Sequence, residues 1–178
     1  MAMVLVATTV WSTPAASGEV TTVPVRIEGS NFVRGMSTVV VNAPIDKVRE
    51  RVLAFGDYPE FMPHYTKCRV LGRTPRGREV FMEVTALHGA VKMWARIEVL
   101  KPVMVDGVET HDTRFLQGNV KDLKAAWRLK KLAPDKTELS LELFLLPKVS
   151  LPTSLINEAN LESSADGVLA LKRRTERG

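Results

Sequence analysis

Runs of alternating apolar and polar residues fill most of this 178-residue chain and constrain its fold more than any other feature. In one run, Met93, Ala95 and Ile97 alternate with Trp94 and Arg96. A period of two is typical of strands with one buried face. Turn-forming residues separate the runs, so the sequence predicts an antiparallel meander with one apolar face. The runs cover residues 66–72, 78–87, 91–99, 104–115, 123–130 and 139–145.

A strand, a turn and one amphipathic helix are predicted ahead of this meander, within residues 39–63. Pro44 suits the first turn of a helix, where its missing N–H leaves no hydrogen bond unmade. Val48 and Val52 follow at helical spacing, and Gly56 is the predicted end of the helix. Residues 20–28, which include a proline, are predicted to form an edge strand.

The C-terminal segment, residues 153–174, contains no proline and has a helix-compatible composition. Its last residues, Lys172, Arg173 and Arg174, are cations that suit a helix C-terminus. No internal repeat or linker interrupts the chain. We therefore expect one domain over residues 19–178, ending in a long helix.

Two short motifs resemble a known superfamily. Asn42-Ala43-Pro44 with Val48 gives N-A-P-x-x-x-V, and residues 57–63 read D-Y-P-E-F-M-P. These motifs, with the strands and terminal helix, resemble the START-like, polyketide cyclase and coenzyme Q-binding proteins of the SRPBCC superfamily over residues 33–174. The resemblance implies an α+β helix-grip fold, a curved antiparallel β-sheet wrapped around a long C-terminal α-helix. One departure is Arg49, where these families often carry tryptophan.

The resemblance also implies a cavity for an apolar molecule between sheet and terminal helix. Small residues at helical spacing on that helix, Ala159, Ser163, Gly167 and Ala170, would leave volume unfilled if they face the sheet. The same apolar residues could instead fill a solid core. Methionine-rich walls suit a variable apolar ligand. The candidate ligand-binding residues are Tyr58, Phe61, Met62, Met82, Met93, Trp127, Leu141, Leu143, Ala159 and Ser163.

The loop with Tyr58, Phe61 and Met62 would lie near the cavity mouth in that superfamily. An exposed aromatic residue there could contact a ligand or, transiently, a membrane surface. Packing of the loop against the helix is the alternative. Arg96 and Arg128 are predicted on the outer face of the sheet, so we assign neither to a ligand.

Catalytic and metal-binding patterns are sparse. His64, His88 and His111 form no H-x-x-x-H pair, and no Cys/His cluster indicates a metal. His88 and His111 lie next to turns or strand ends, where solvent-exposed or structural roles are expected. The acidic pair Glu109 and Asp112 is in a loop-like stretch and is predicted to be solvated. No phosphate-binding loop, nucleotide fingerprint or base-stacking pattern is present. The sequence indicates no cofactor, metal or nucleic-acid partner and favours a binding module over an enzyme.

Three functions stay open at this point. The first is binding or transport of a lipid, quinone or polyketide-like molecule. The second is a polyketide cyclase or aromatase, for which Tyr65, His64 and Arg114 are candidates near the cavity mouth. The third is a structural or interaction domain with a solid interior. Cavity volume separates the third function from the others, and converging polar groups separate the second from the first. The oligomeric state is not predicted.

Compartment is predicted from the N-terminus. Residues 1–11 are apolar and uncharged, and Ala15-Ala16-Ser17 resembles a signal-peptidase site, although no basic residue precedes the apolar run. We expect residues 1–18 to be an export signal or a disordered leader, and the protein to be periplasmic or secreted, with cytoplasmic as the alternative. Cys68 is the single cysteine and is expected to be a buried or edge thiol. The formal charge of +5 is expected to be spread over a solvated surface.

Overall fold

The computed structural model describes residues 19–86 and 89–178. The predicted export signal and His88 lie outside the described residues. The described residues form nine strands, three α-helices and a 3₁₀ turn at Phe55–Asp57. The helices are α1 (Ile45–Leu53), α2 (Tyr58–Phe61) and α3 (Thr153–Glu176). The strands are β1 (Thr21–Arg26), β2 (Val33–Val41), β3 (Tyr65–Thr74), β4 (Gly77–Ala86), β5 (Val91–Leu100), β6 (Val103–Val105), β7 (Val108–Gly118), β8 (Val120–Ala133) and β9 (Lys136–Pro147).

The strands form one antiparallel sheet in the order β1-β2-β9-β8-β7-β5-β4-β3, with β6 paired to β7. Strand β7 changes partner along its length. Residues 108–112 pair with β8, and residues 113–118 pair with β5. At the change, the Thr113 hydroxyl donates to the Ala125 carbonyl oxygen at 2.7 Å and accepts from the Ala125 amide at 2.9 Å. The predicted α+β helix-grip fold is confirmed.

Helix α3 crosses the sheet over β2 and β9, where small side chains allow close approach. A Cβ atom on Gly35 would lie 2.2 Å from the carbonyl oxygen of Asn160. Next to this contact, the hydroxyls of Ser37 and Ser164 are 2.7 Å apart, and both residues are fully buried. The Asn160 side chain accepts a hydrogen bond from the Leu145 amide at 2.9 Å. Close backbone contacts and hydrogen bonds therefore fix α3 to β2 and β9.

Two predicted boundaries were wrong. The predicted strand over 104–115 is a hairpin of β6 and β7, because Asp106 and Gly107 both have positive φ, 50° and 75°, as a tight turn between strands requires. Helix α1 ends at Leu53 rather than at Gly56, since Ala54 leaves the helical conformation with ψ of 57°. Gly56 lies within the 3₁₀ turn that follows.

Candidate functional site

A cavity of about 480 Å³ lies between the concave face of the sheet and helix α3. Most of its walls are apolar side chains from β4, β5, β8, β9 and the α1–α2 region. Natural ligand pockets span roughly 300–1,000 Å³, so this volume is sufficient for a small molecule. The sheet side of the wall includes Met82, Val84, Met93, Ile97, Val99, Leu123, Ala125, Trp127, Leu141, Leu143 and Leu145.

Nine of the ten predicted ligand-binding residues line this cavity, and their contact with a ligand stays a prediction. Phe61 is the exception. Its ring packs edge-on against Tyr58, with centroids 5.6 Å apart, and lies under the guanidinium of Arg174 at 5.5 Å. The nine lining residues are Tyr58, Met62, Met82, Met93, Trp127, Leu141, Leu143, Ala159 and Ser163.

Small residues on α3 contribute directly to the empty volume. Ala159, Ser163 and Gly167 line the cavity, while Ala170 is buried outside the lining. A Cβ atom on Gly167 would lie 2.7 Å from Leu141 Cδ2. Ala159, Ser163 and Gly167 therefore face the sheet, which is the arrangement that leaves volume unfilled.

The segment expected at the mouth forms an inner wall instead. Tyr58 is 2% exposed, and its hydroxyl donates a hydrogen bond to the carbonyl oxygen of Val52 at 2.6 Å. Burial raises the pKa of Tyr58 well above its usual value. Met62 is also buried. Of the two interpretations of this segment, packing rather than an exposed aromatic residue describes Tyr58, which lies among Phe55, Phe61 and Tyr65 at centroid distances of 5.3–5.6 Å.

The exposed part of the lining defines the cavity mouth. His64, Glu158, Ala159 and Glu162 are exposed lining residues, and they lie near the end of β4 and along the first half of α3. His64 Nε2 is 3.9 Å from Asp166 Oδ2. With Glu158, Glu162 and Asp166 around it, the mouth is acidic.

Deeper in the wall, two polar residues of β7, Glu109 and His111, are buried, whereas the sequence predicted solvated acidic residues in this strand. Glu109 is 4% exposed rather than solvated, and His111 is 2% exposed. His111 lines the cavity, and its Nε2 lies 2.6 Å from Glu109 Oε1. Because strand residues alternate between faces, residues 109, 111 and 113 all point inward. The sequence predicted an irregular strand here with a solvated acidic pair, so neither Glu109 nor His111 was identified as part of the site.

The guanidinium of Arg49 compensates the negative charge of the buried Glu109 carboxylate. It donates to Glu109 Oε1 and Oε2 at 2.7 and 2.6 Å and also pairs with Asp46. The hydrogen bonds from Arg49 are the main cause of the lowered pKa of Glu109, and the hydrogen bond from His111 acts in the same direction against burial. In the tautomer of His111 that donates from Nε2 to Glu109, Nδ1 is left as an acceptor.

The other polar candidates are divided between cavity and surface. His64 and Tyr65 line the cavity. Arg114 does not, since it pairs with Glu98 at 3.0 Å. Arg128 binds Glu142 at 2.7 Å and, like Arg96, lies outside the lining, in agreement with the predicted outer-face positions.

Within residues 19–86 and 89–178, no group of three or more His, Cys, Asp or Glu side chains is arranged to hold a metal ion. None of the helices in the same ranges combines the length and apolar character needed to cross a bilayer.

Comparison with known protein families identifies the family of this chain. Residues 41–166 match the family described as polyketide cyclase / dehydrase and lipid transport. The chain belongs to this family. The match runs from the end of β2 into α3 and so includes most of the cavity wall. Comparison with curated protein sequences finds no match.

Several solved structures share the fold of this family member. A STAR-related lipid transfer protein from Xanthomonas axonopodis is 16% identical, with a TM-score of 0.77 over 93% of this chain and 98% of that one. Human StAR-related lipid transfer protein 5 is 12% identical, with a TM-score of 0.76 over 92% and 85%. The Zhui aromatase/cyclase from Streptomyces sp. R1128 is 20% identical, with a TM-score of 0.61 over 80% and 92%.

Proposed function

We propose that this protein binds and carries a hydrophobic small molecule, such as a lipid, a quinone or a polyketide-like compound. The observation that carries this proposal is the 480 Å³ cavity with apolar walls and an open mouth. Burial of apolar ligand surface contributes roughly 25 cal/mol per Å² before the costs of ordering are subtracted. The methionines in the wall suit ligands that vary in shape. The lipid transfer proteins of similar fold are consistent with this function.

Native mass spectrometry of the protein purified from its source tests the proposal. We expect a non-covalent adduct of an apolar compound, removed by organic extraction and restored by adding the extract. Ligand-free protein in repeated preparations, together with no binding to panels of lipids and quinones, would count against a carrier.

A cyclase-type reaction is the second candidate, and the pair His111–Glu109 favours it. A histidine oriented by a buried carboxylate has the arrangement of a general base. Neutral His111 would remove a proton from an activated methylene of a poly-β-ketone chain. The resulting carbanion would attack the carbon of a second carbonyl folded next to it in the cavity. The C=O π bond breaks as the carbon–carbon bond forms, and the alkoxide takes the proton back from His111.

Replacement of His111 by glutamine distinguishes the two functions. For a cyclase, we expect turnover of a poly-β-ketone chain to fall at least 100-fold, the lower range of general-base effects. His64→Gln and Tyr65→Phe are the comparison variants, since both residues also line the cavity. A carrier would show no turnover in any of these proteins and would retain its adduct.

A further inference from the structure

A second depression, an open groove of about 820 Å³, lies at the opposite end of β4 from the cavity mouth. Gly77 lines the groove, whereas Ala86 lines the cavity near its mouth. Nine residue steps along β4 separate them by roughly 30 Å. Arg73, Arg78 and Lys101 also line the groove, and no described carboxylate forms an ion pair with any of these three cations. This end of the protein is therefore basic, whereas the mouth is acidic.

Strand β6 adds an apolar surface beside these cations. Val103, Met104 and Val105 are 59%, 60% and 59% exposed, the three highest values among the exposed large hydrophobic residues. All three are exposed because β6 pairs only with β7. Met104 also lines the groove. We call the surface formed by Arg73, Arg78, Lys101 and residues 103–105 the hairpin face.

The hairpin face is held in place relative to the β3–β4 turn. The Lys101 amide donates a hydrogen bond to the Arg76 carbonyl oxygen at 2.7 Å. Arg76 in turn lies 3.4 Å from Glu98, which also binds Arg114. Nearby carboxylates are thus already paired with cations, apart from Asp106 at the β6–β7 turn. Met104 and the three cations line one groove, and Val103 and Val105 lie on either side of Met104 along the same exposed strand.

We propose that the hairpin face docks on the surface of an anionic lipid bilayer. Apolar side chains at a hairpin enter the interfacial layer, and adjacent cations bind lipid phosphates, each adding about five-fold to partitioning. A specific protein interface buries about 800 Å² on each partner, and three side chains expose far less. Binding to a bilayer needs no such area, because cations and apolar residues add their contributions independently.

Docking at this face would bring the bilayer next to the inner end of the cavity. Leu53, Val99 and His111 line both the groove and the cavity, so these side chains separate the two volumes. The acidic mouth, by contrast, would be repelled from anionic lipid. The proposal does not depend on which ligand the cavity binds.

Co-flotation of the full chain with vesicles tests the proposal. We expect binding to vesicles of phosphatidylcholine with 30% phosphatidylglycerol, weak binding to phosphatidylcholine alone, and a decrease as salt rises. The double variant Val103→Asp/Met104→Asp and the triple variant Arg73→Gln/Arg78→Gln/Lys101→Gln should each weaken binding at least ten-fold. Circular dichroism and thermal unfolding would show that each variant is folded.

Matched controls distinguish vesicle binding by the hairpin face from a general effect of charge or hydrophobicity. Val23→Asp/Val149→Asp changes exposed apolar residues away from the β6–β7 hairpin, and Lys121→Gln/Lys124→Gln/Lys148→Gln removes the same charge from exposed positions on β8 and just after β9. Both controls should bind within two-fold of the parent protein. Equal losses in controls and hairpin variants would overturn the proposal, as would no binding to anionic vesicles. A dimer in sedimentation that Met104→Asp dissociates, without any effect on vesicle binding, would assign the face to a second copy.

Discussion

The guanidinium of Arg49 on α1 binds both carboxylate oxygens of Glu109 on β7, at 2.7 and 2.6 Å. This contact joins the helix to the inner face of the sheet, where Glu109 is 4% exposed. Arg49→Met would leave the carboxylate with His111 as its remaining side-chain partner. We expect this variant to lower the free energy of unfolding by about 1–3 kcal/mol in urea titrations. Lys47→Met, on the same helix, should change it by less than about 0.5 kcal/mol.

The same pair predicts a specific dependence on pH. The pKa of Glu109 is lower in the folded protein, first because of Arg49 and then because of His111. A carboxylate with a depressed folded-state pKa contributes stability that is fully present above its unfolded value, about 4.3. That stability is lost as pH falls through the folded pKa. The difference in unfolding free energy between the parent and Arg49→Met should therefore be constant from pH 7 to 5 and shrink below pH 4. A difference independent of pH would contradict this account.

Filling the cavity should remove ligand binding without unfolding the protein. Ser163 lines the cavity on α3, whereas Ser154 is exposed on the first turn of the same helix. We expect Ser163→Phe to reduce bound ligand at least ten-fold in native mass spectra, because its ring occupies the volume that the ligand needs. Ser154→Phe is the matched control and should keep full occupancy. Equal occupancy in the two variants would show that the ligand binds elsewhere.

The close approach of α3 to β2 predicts a large effect of a single methyl group. In Gly35→Ala, the new Cβ would lie 2.2 Å from the Asn160 carbonyl oxygen, so the backbone of α3 must move. We expect a loss of about 1–3 kcal/mol in unfolding free energy. Gly72→Ala is the control, since a Cβ there meets no atom within 4 Å. It should be neutral or slightly stabilising by thermal unfolding.

Cys68 should be chemically inert in the folded protein. Its side chain is buried on β3, and burial raises the pKa of the thiol to about 12. The thiolate is the reactive form, so we expect no modification by iodoacetamide at pH 8 over a period in which a surface thiol reacts fully. Val70→Cys in a Cys68→Ala background supplies that surface thiol, since Val70 is 46% exposed. Reaction of Cys68 at the same rate would show that the edge of the sheet opens.

Much of the fold could be predicted because strand alternation and the Pro44 helix start are local signals. The edge strand β1 and the wall residues Met82 and Met93 follow from periodicity. The long helix α3 follows from a proline-free segment with helix-compatible composition. The β6–β7 hairpin was missed because its turn, Asp106-Gly107, interrupts the alternation by only two residues. Its tightness depends on positive φ values that no periodicity reveals.

The polar part of the site was harder to predict for a related reason. Glu109 and His111 occupy inward positions on β7, but a charged residue in an irregular strand usually indicates solvent exposure. Their partner Arg49 is 60 residues away in the sequence. Only the fold, which brings the Arg49 side chain to Glu109, shows that the three groups compensate one another. Arg49 also stands where related families often carry tryptophan, which was the one available signal in the sequence.

The change of partner at Thr113 makes the amide proton of Ala125 a probe of the cavity. That proton is bound to the Thr113 hydroxyl rather than to a backbone carbonyl, and both residues line the cavity. A side-chain acceptor can rotate away without any separation of the strands. Hydrogen–deuterium exchange at Ala125 should therefore be faster than at Leu129, where β8 pairs with both β7 and β9. Slower exchange on addition of a ligand would report occupancy at a single backbone position.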